Sequence, residues 1–192
     1  MILYKRHKLI CLIYIYFIRI YYIGIVFLFF FDIIVVRVYI RSEIMKIAIG
    51  ADHGGFLHKE AIVRFLRDNG HEVRDFGTHS QDSTDYNEYA LDVAKSVSNK
   101  LYDRGILVCG TGVGMSIMAN KVVGIRAALV HDLFTAEATR LHNDSNVLTM
   151  GGRIISIDKA LEIVKIWIDT DFSKEDRHVR RIDKISEFSE IK

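Results

Sequence analysis

The side chain best placed for chemistry is Cys109. It stands in the run Gly-Ile-Leu-Val-Cys-Gly-Thr-Gly-Val-Gly-Met-Ser, residues 105–116, with Gly110, Gly112 and Gly114 at alternate positions behind it. Glycines so spaced let a backbone approach a ligand closely and turn its N–H groups inward. Ile106, Leu107 and Val108 form a short apolar run of the kind buried in a parallel sheet, and the uncharged segment from Met115 to Ala119 reads as the start of a helix. Strand end, glycine loop and helix N-terminus together favour negative charge, because unpaired amide hydrogens and the helix dipole converge there. A thiol facing such donors has its anion stabilised and releases its proton more readily. A base beside an anion hole suits removal of a proton from the carbon next to a carbonyl. The same residues also fit a core cysteine ahead of an ordinary βα turn, and this stretch alone leaves both readings open.

In an open parallel sheet, ligands bind beyond the carboxyl ends of the strands. The polar residues expected at those ends are Asp52 and His53 after the first strand, His131 and Asp132 after the fourth, and Arg153 after the fifth. Asp52 and His53 read as a polar clamp for substrate hydroxyls, although an aspartate ahead of a helix is also a common N-cap. His131 and Asp132 read as a strand end and a helix cap. His142, in Arg-Leu-His-Asn-Asp, suits a general acid or base, or a helix C-terminal histidine favoured by the dipole. It falls just before the fifth strand, on the edge of the sheet opposite its own Cys109. Arg177 and Arg181 are four residues apart, hence on one helix face, with His178 beside them. Two guanidiniums there suit a phosphate, or pair with Asp183 and Glu187 on a solvated face. Thr84, Asp85 and Tyr86 reach toward the site from their loop, or cap the second helix.

These residues need a scaffold, and the hydrophobic pattern supplies one. Strands are expected at Lys46–Ala51, Glu72–Phe76, Ile106–Cys109, Ile125–Val130 and Asn146–Met150. Helices are expected at Phe56–Asp68, Tyr86–Asn99, from Met115 onward, Leu133–Leu141, Lys159–Ile168 and Glu175–Phe188. Strands alternating with helices imply parallel βαβ units. The expected fold is α/β, a three-layer α/β/α sandwich on a five-stranded parallel, Rossmann-like sheet.

Charge and composition exclude several classes. Residues 1–44 hold six of the chain's 26 Lys/Arg and two of its 24 Asp/Glu, which leaves residues 45–192 slightly acidic. Nothing there forms a nucleic-acid surface. Two cysteines, Cys11 and Cys109, make no disulfide framework and fit a reducing compartment, the cytoplasm. A dinucleotide GxGxxG would need glycine at Met115 and a place after the first strand; no GxxxxGK[ST] phosphate loop occurs. Asp52, His53, His142 and Asp144 lack the tight spacing of a metal site.

Residues 1–44 are an atypical apolar extension, with twelve Ile, six Tyr and five Phe. Their longest uncharged run, Ile20 to Phe31, is twelve residues, short of the roughly 20 that span a bilayer. A membrane anchor is therefore disfavoured, and residues 1–44 read as a mis-called or non-functional stretch ahead of a natural start at Met45. Residues 45–192 form one domain.

Gly50-Ala51-Asp52-His53-Gly54-Gly55, Thr84-Asp85-Tyr86, Cys109-Gly110-Thr111-Gly112-Val113-Gly114, His142-Asn143-Asp144 and Gly151-Gly152-Arg153, in this order, resemble the ribose-5-phosphate isomerase B group, which is related to the galactose-6-phosphate isomerase subunits. The resemblance runs from Met45 to about Phe188. It implies isomerisation of ribose 5-phosphate and ribulose 5-phosphate through an enediolate, without metal or cofactor, as in the pentose phosphate pathway. It implies Cys109 as base between C1 and C2, the amides of Gly110, Thr111, Gly112, Val113 and Gly114 as oxyanion donors, and Thr111 as proton relay. His142, helped by Asp52, would open the sugar ring; Tyr86 and Asn143 would contact substrate. His53, Arg153, Arg177 and Arg181 would bind phosphate and sugar oxygens, with Arg180 an alternative in the last helix. It further implies a homodimer in which His142 serves the partner's Cys109. Allose or galactose 6-phosphate is the rival substrate class, and a sugar-phosphate-binding module without turnover the rival function.

Overall fold

The computed structural model describes residues 44–189; residues 1–43, and with them the expectation of an anchor or a non-functional extension, lie outside the described residues. The strands are β1 (Lys46–Ala51), β2 (Glu72–Asp75), β3 (Arg104–Cys109), β4 (Ala127–Leu129) and β5 (Val147–Gly151). The helices are α1 (Phe56–Asp68), α2 (Tyr86–Ser98), α3 (Val113–Ala119), α4 (Leu133–Asn143), α5 (Ile157–Asp169) and α6 (Asp176–Ser189). All strand pairs are parallel, in the order β2-β1-β3-β5-β4.

Period-two alternation sends strand side chains to opposite layers. Ile47, Ile49, Ala51, Ile106, Val108, Leu148 and Met150 face one core with Ile62 and Leu66 of α1, Ala136 of α4, and Ile163 and Trp167 of α5. Ala48, Leu107, Cys109 and Val147 face the other with Val93 and Val97 of α2 and Met115 of α3. Cys109 therefore points toward the α2–α3 layer. The sandwich expected from sequence is the observed one.

Most boundaries shift by one or two residues, and two of the differences bear on the far end of the sheet. β4 keeps three residues of the expected six: ahead of it the Arg126 N–H goes to Asn146 Oδ1 at 2.8 Å instead of a backbone carbonyl, and its first residue, Ala127, is bracketed by the Asn120 side chain, N–H and carbonyl both at 2.9 Å. Helix α4 runs two residues past Leu141, so His142 and Asn143 belong to its last turn.

Beside the sheet edge, Lys59 is fully buried and pairs with Asp75 and Glu60. Asp75 also accepts from the Gly77 N–H at 2.9 Å, which fixes the exit of β2 and the start of the loop leading to Tyr86.

His71, 7 % exposed, accepts the Met45 N–H on Nδ1 at 3.3 Å. Burial holds its pKa below the ordinary histidine value, Asp169 opposing and Arg104 adding to the shift. The unfolded state thus binds protons that the folded state refuses, so this contribution to stability is intact above about pH 6.5 and is lost as the pH falls below it. The urea midpoint is expected to drop between pH 7 and pH 5, and His71→Asn, which keeps an acceptor for Met45, to flatten that drop. An equally steep profile in the variant would refute this assignment.

Candidate active site

The strand order reverses at β1, whose neighbours are β2 and β3, and in open parallel sheets such a switch point forms the ligand crevice beyond the carboxyl ends. Two loops meet in it. Asp52, 6 % exposed, turns Oδ1 back to accept from the N–H groups of Gly54 and Gly55, at 2.8 and 3.2 Å. The carboxylate is thus a turn device at the end of β1. A Cβ on Gly54 would lie 2.9 Å from the amide nitrogen of Gly110, so only glycine lets the loops touch.

Cys109 is 5 % exposed, and its Sγ receives the Gly112 N–H at 3.0 Å. The N–H groups of Gly110, Thr111 and Gly114 have no acceptor among the described residues. Thr111 is exposed, with Oγ1 accepting from the Val113 N–H at 3.4 Å. The loop is shaped at Gly112, which has φ +78° and caps α3. There a Cβ would stand 2.5 Å from Leu129 Cδ1 and 2.7 Å from the Met150 carbonyl carbon. Gly112→Ala combines left-handed strain with overpacking and is expected to cost about 2–4 kcal/mol of stability. A wild-type urea midpoint for this variant would show that the loop relaxes freely.

The neighbouring loops complete this end. The Gly152 N–H bonds the Cys109 carbonyl at 2.8 Å and the Arg153 N–H the Gly110 carbonyl at 3.0 Å, so Arg153 lies along the glycine loop. His131 accepts the Gly151 N–H on Nε2 at 3.0 Å. It supports that loop from the end of β4, beyond the strand-end role its position in the sequence conveys. His53 accepts the Thr84 N–H on Nδ1 at 3.3 Å, which brings in the loop before α2. The Tyr86 ring covers Gly114, where a Cβ would come within 2.5 Å of Cζ. Asp52, His53, Tyr86, Cys109, Thr111 and Arg153 are therefore gathered at one end.

His142, Asn143, Arg177 and Arg181 are not. The register pairs Gly105 with Val147 and Cys109 with Gly151. Cys109 and the turn before Val147 hence lie at opposite ends of the sheet, roughly 15 Å apart at the usual rise per strand residue. At that far end the His142 and His178 rings are 4.5 Å apart between centroids. His178 is 3 % exposed, with Ser173 Oγ 2.8 Å from its Nδ1. Burial lowers its pKa most, Arg177, His142 and Arg181 lower it further, and Glu175 opposes. Arg177 donates to Glu175 at 2.8 Å; Arg180 and Arg181 are exposed. One chain thus carries two separate groups, a thiol with amide donors at one end and a histidine–arginine cluster at the other. Among the described residues, no three His, Cys, Asp or Glu side chains are grouped as metal ligands would be. No helix among them is long and apolar enough to cross a membrane.

The profile of the ribose/galactose isomerase family matches residues 47–185. The chain is 45% identical over 141 residues to ribose-5-phosphate isomerase B of Escherichia coli K12, covering 73% of this chain and 94% of that protein. It is 42% identical over 132 residues to the D-erythrulose-4-phosphate isomerase of Pectobacterium atrosepticum, covering 67% and 85%. The solved structure of Clostridium thermocellum ribose-5-phosphate isomerase B superposes with a TM-score of 0.73 at 49% identity, covering 75% of this chain and 97% of that one.

Proposed function

The chain belongs to the ribose/galactose isomerase family and is an isomerase of the ribose-5-phosphate isomerase type, and we propose that it interconverts ribose 5-phosphate and ribulose 5-phosphate through an enediolate. The observation that carries this reading is the Cys109 sulfur, 3.0 Å from the Gly112 amide, with three further N–H groups of the same loop that no acceptor among the described residues uses.

In the proposed reaction the Cys109 thiolate takes the proton from C2 of the open-chain aldose. The electron pair moves into the C1–C2 bond, and negative charge collects on the former carbonyl oxygen. The amides of the loop from Gly110 to Gly114 receive that oxygen; losing one such donor typically costs about 2.7–4 kcal/mol of barrier. The thiol then returns the proton to C1, while Thr111 moves the proton between oxygens. Arg153 and His53 hold sugar and phosphate oxygens from the same end, and Tyr86 closes over the loop.

Ring opening falls to His142, assisted by Asp52, with Asn143 on the substrate and Arg177 and Arg181 on its phosphate. Since His142 and Cys109 of one chain stand at opposite ends of the sheet, the working site in this reading is assembled between two copies, in a homodimer. In this reading residues 45–192 are the isomerase domain, acting in the cytoplasm without a cofactor.

The test is a ketose-formation assay on the chain beginning at Met45, with ribose 5-phosphate, D-erythrose 4-phosphate, allose 6-phosphate and galactose 6-phosphate side by side. The highest kcat/KM is expected on ribose 5-phosphate. Preference for a hexose phosphate would transfer the assignment to that class. Binding without turnover on any of the four would leave a sensing module instead.

A further inference from the structure

We propose that Arg126 and Arg140 are positioning residues for this reaction: they clamp Asp144 and thereby aim the His142–Asn143 turn. The inference rests on the assignment of His142 to ring opening. Helix α4 ends on Asp144 with φ +45° and ψ 46°. That left-handed conformation usually falls to glycine after a helix, because a Cβ makes it costly. Asp144 is held there through its carboxylate, one oxygen accepting from Arg140 Nη1 at 2.7 Å and the other from Arg126 Nη2 at 2.8 Å.

The arginines do more than neutralise it. Arg126 Nε reaches the carbonyls of Asn143 and Asp144, at 3.1 and 2.9 Å, groups that a helix end leaves without partners. The Arg126 N–H is itself fixed on Asn146 Oδ1 at 2.8 Å. Arg140, 6 % exposed, donates to the Ser145 carbonyl at 2.6 Å and the Thr170 carbonyl at 3.2 Å. The last turn of α4 is thereby tied to the start of β4 and to the segment after α5. His142 and Asn143 are exposed, and a helix end without such ties frays. A catalytic group misplaced by about 1 Å loses on the order of a hundredfold in rate. Both arginines belong to the far end of the sheet from Cys109, so their influence on chemistry passes through the turn.

The experiment uses the full chain with Arg126→Met, Arg126→Lys and Asp144→Asn, and His142→Asn alongside. Arg126 is the residue to change because Arg140 is buried. Two rates are read: turnover from cyclic ribose 5-phosphate, and exchange of the C1 hydrogen of ribulose 5-phosphate with heavy water. In the exchange a hydrogen passes from C1 to the Cys109 sulfur and on to solvent, and a deuteron returns. The ketose is open-chain, so exchange needs the thiol and the amide donors but no ring opening. Arg126→Met is expected to lower kcat from the aldose about tenfold or more, while KM and C1 exchange stay within about threefold. Arg126→Lys, which keeps the charge but not the fork, should fall between, and Asp144→Asn should follow Arg126→Met. Wild-type turnover in Arg126→Met and Asp144→Asn overturns the clamp. Equal losses of turnover and exchange also overturn it, since a general loosening of the fold would do that. Wild-type turnover in His142→Asn shows instead that the assignment of His142 has failed, and the inference with it.

Discussion

Cys109→Ala is expected to lower turnover of ribose 5-phosphate by on the order of a thousandfold, within the range for a lost general base, while the sugar phosphate still binds within about tenfold. The asymmetry follows from what the sulfur does in the proposed reaction. It touches the substrate only at the hydrogen that moves, so its interaction grows toward the transition state and is nearly absent in the ground state. The groups proposed to hold the phosphate and the oxygens, the free amides of the loop and Arg153, stay in place. The loop should keep its shape, because Gly112 and the contact between Gly54 and Gly110 are backbone features. Ketose formation measured by absorbance and binding of ribose 5-phosphate measured by calorimetry separate the two quantities. Wild-type turnover in the variant would remove the thiol from the mechanism. A loss confined to binding would recast Cys109 as a wall of the pocket.

That expectation was within reach of the sequence because its determinants are local. The strand before Cys109, the alternating glycines and the apolar helix after them lie within a dozen residues, and backbone geometry follows from them directly. The same holds for α1 and α2, which stop at Asn69-Gly70 and at Asn99. The division into two ends was legible as well, since Cys109 follows β3 and His142 precedes β5 in a parallel sheet. What escaped depends on partners distant in the chain. β4 begins later than expected where the Asn146 side chain, twenty residues on, takes the Arg126 N–H. Helix α4 extends over His142 and Asn143 because Arg126, seventeen residues upstream of Asn143, caps their end. His131 reads as a strand end until the Gly151 N–H is found on its ring. His178 looked like a neighbour of two arginines, yet it is the buried ring against which His142 lies. Such side-chain-to-backbone bonds between remote segments leave no periodic mark in a sequence.

The second large effect concerns the division itself. Cys109→Ala and His142→Asn chains, each nearly inactive alone, are expected to regain about one quarter of wild-type turnover when mixed in equal amounts and allowed to exchange subunits. Two-fold symmetry sets this figure: about half of the dimers are mixed, and each mixed dimer has one site with both lesions and one with none. The intact site joins the sulfur of the His142→Asn chain to the imidazole of the Cys109→Ala chain. The motive for expecting this is geometric. A five-residue strand separates the two groups within one chain, while general acid–base catalysis needs both within hydrogen-bond reach of one substrate. Closing that gap inside a single subunit would mean dismantling β5, whose residues are all buried. A second copy can bring a histidine end to a cysteine end without disturbing either. If mixing restores nothing while subunit exchange is verified by differently tagged chains, the site is self-contained. In that event a residue at the Cys109 end, such as His53, must take over the ring-opening step.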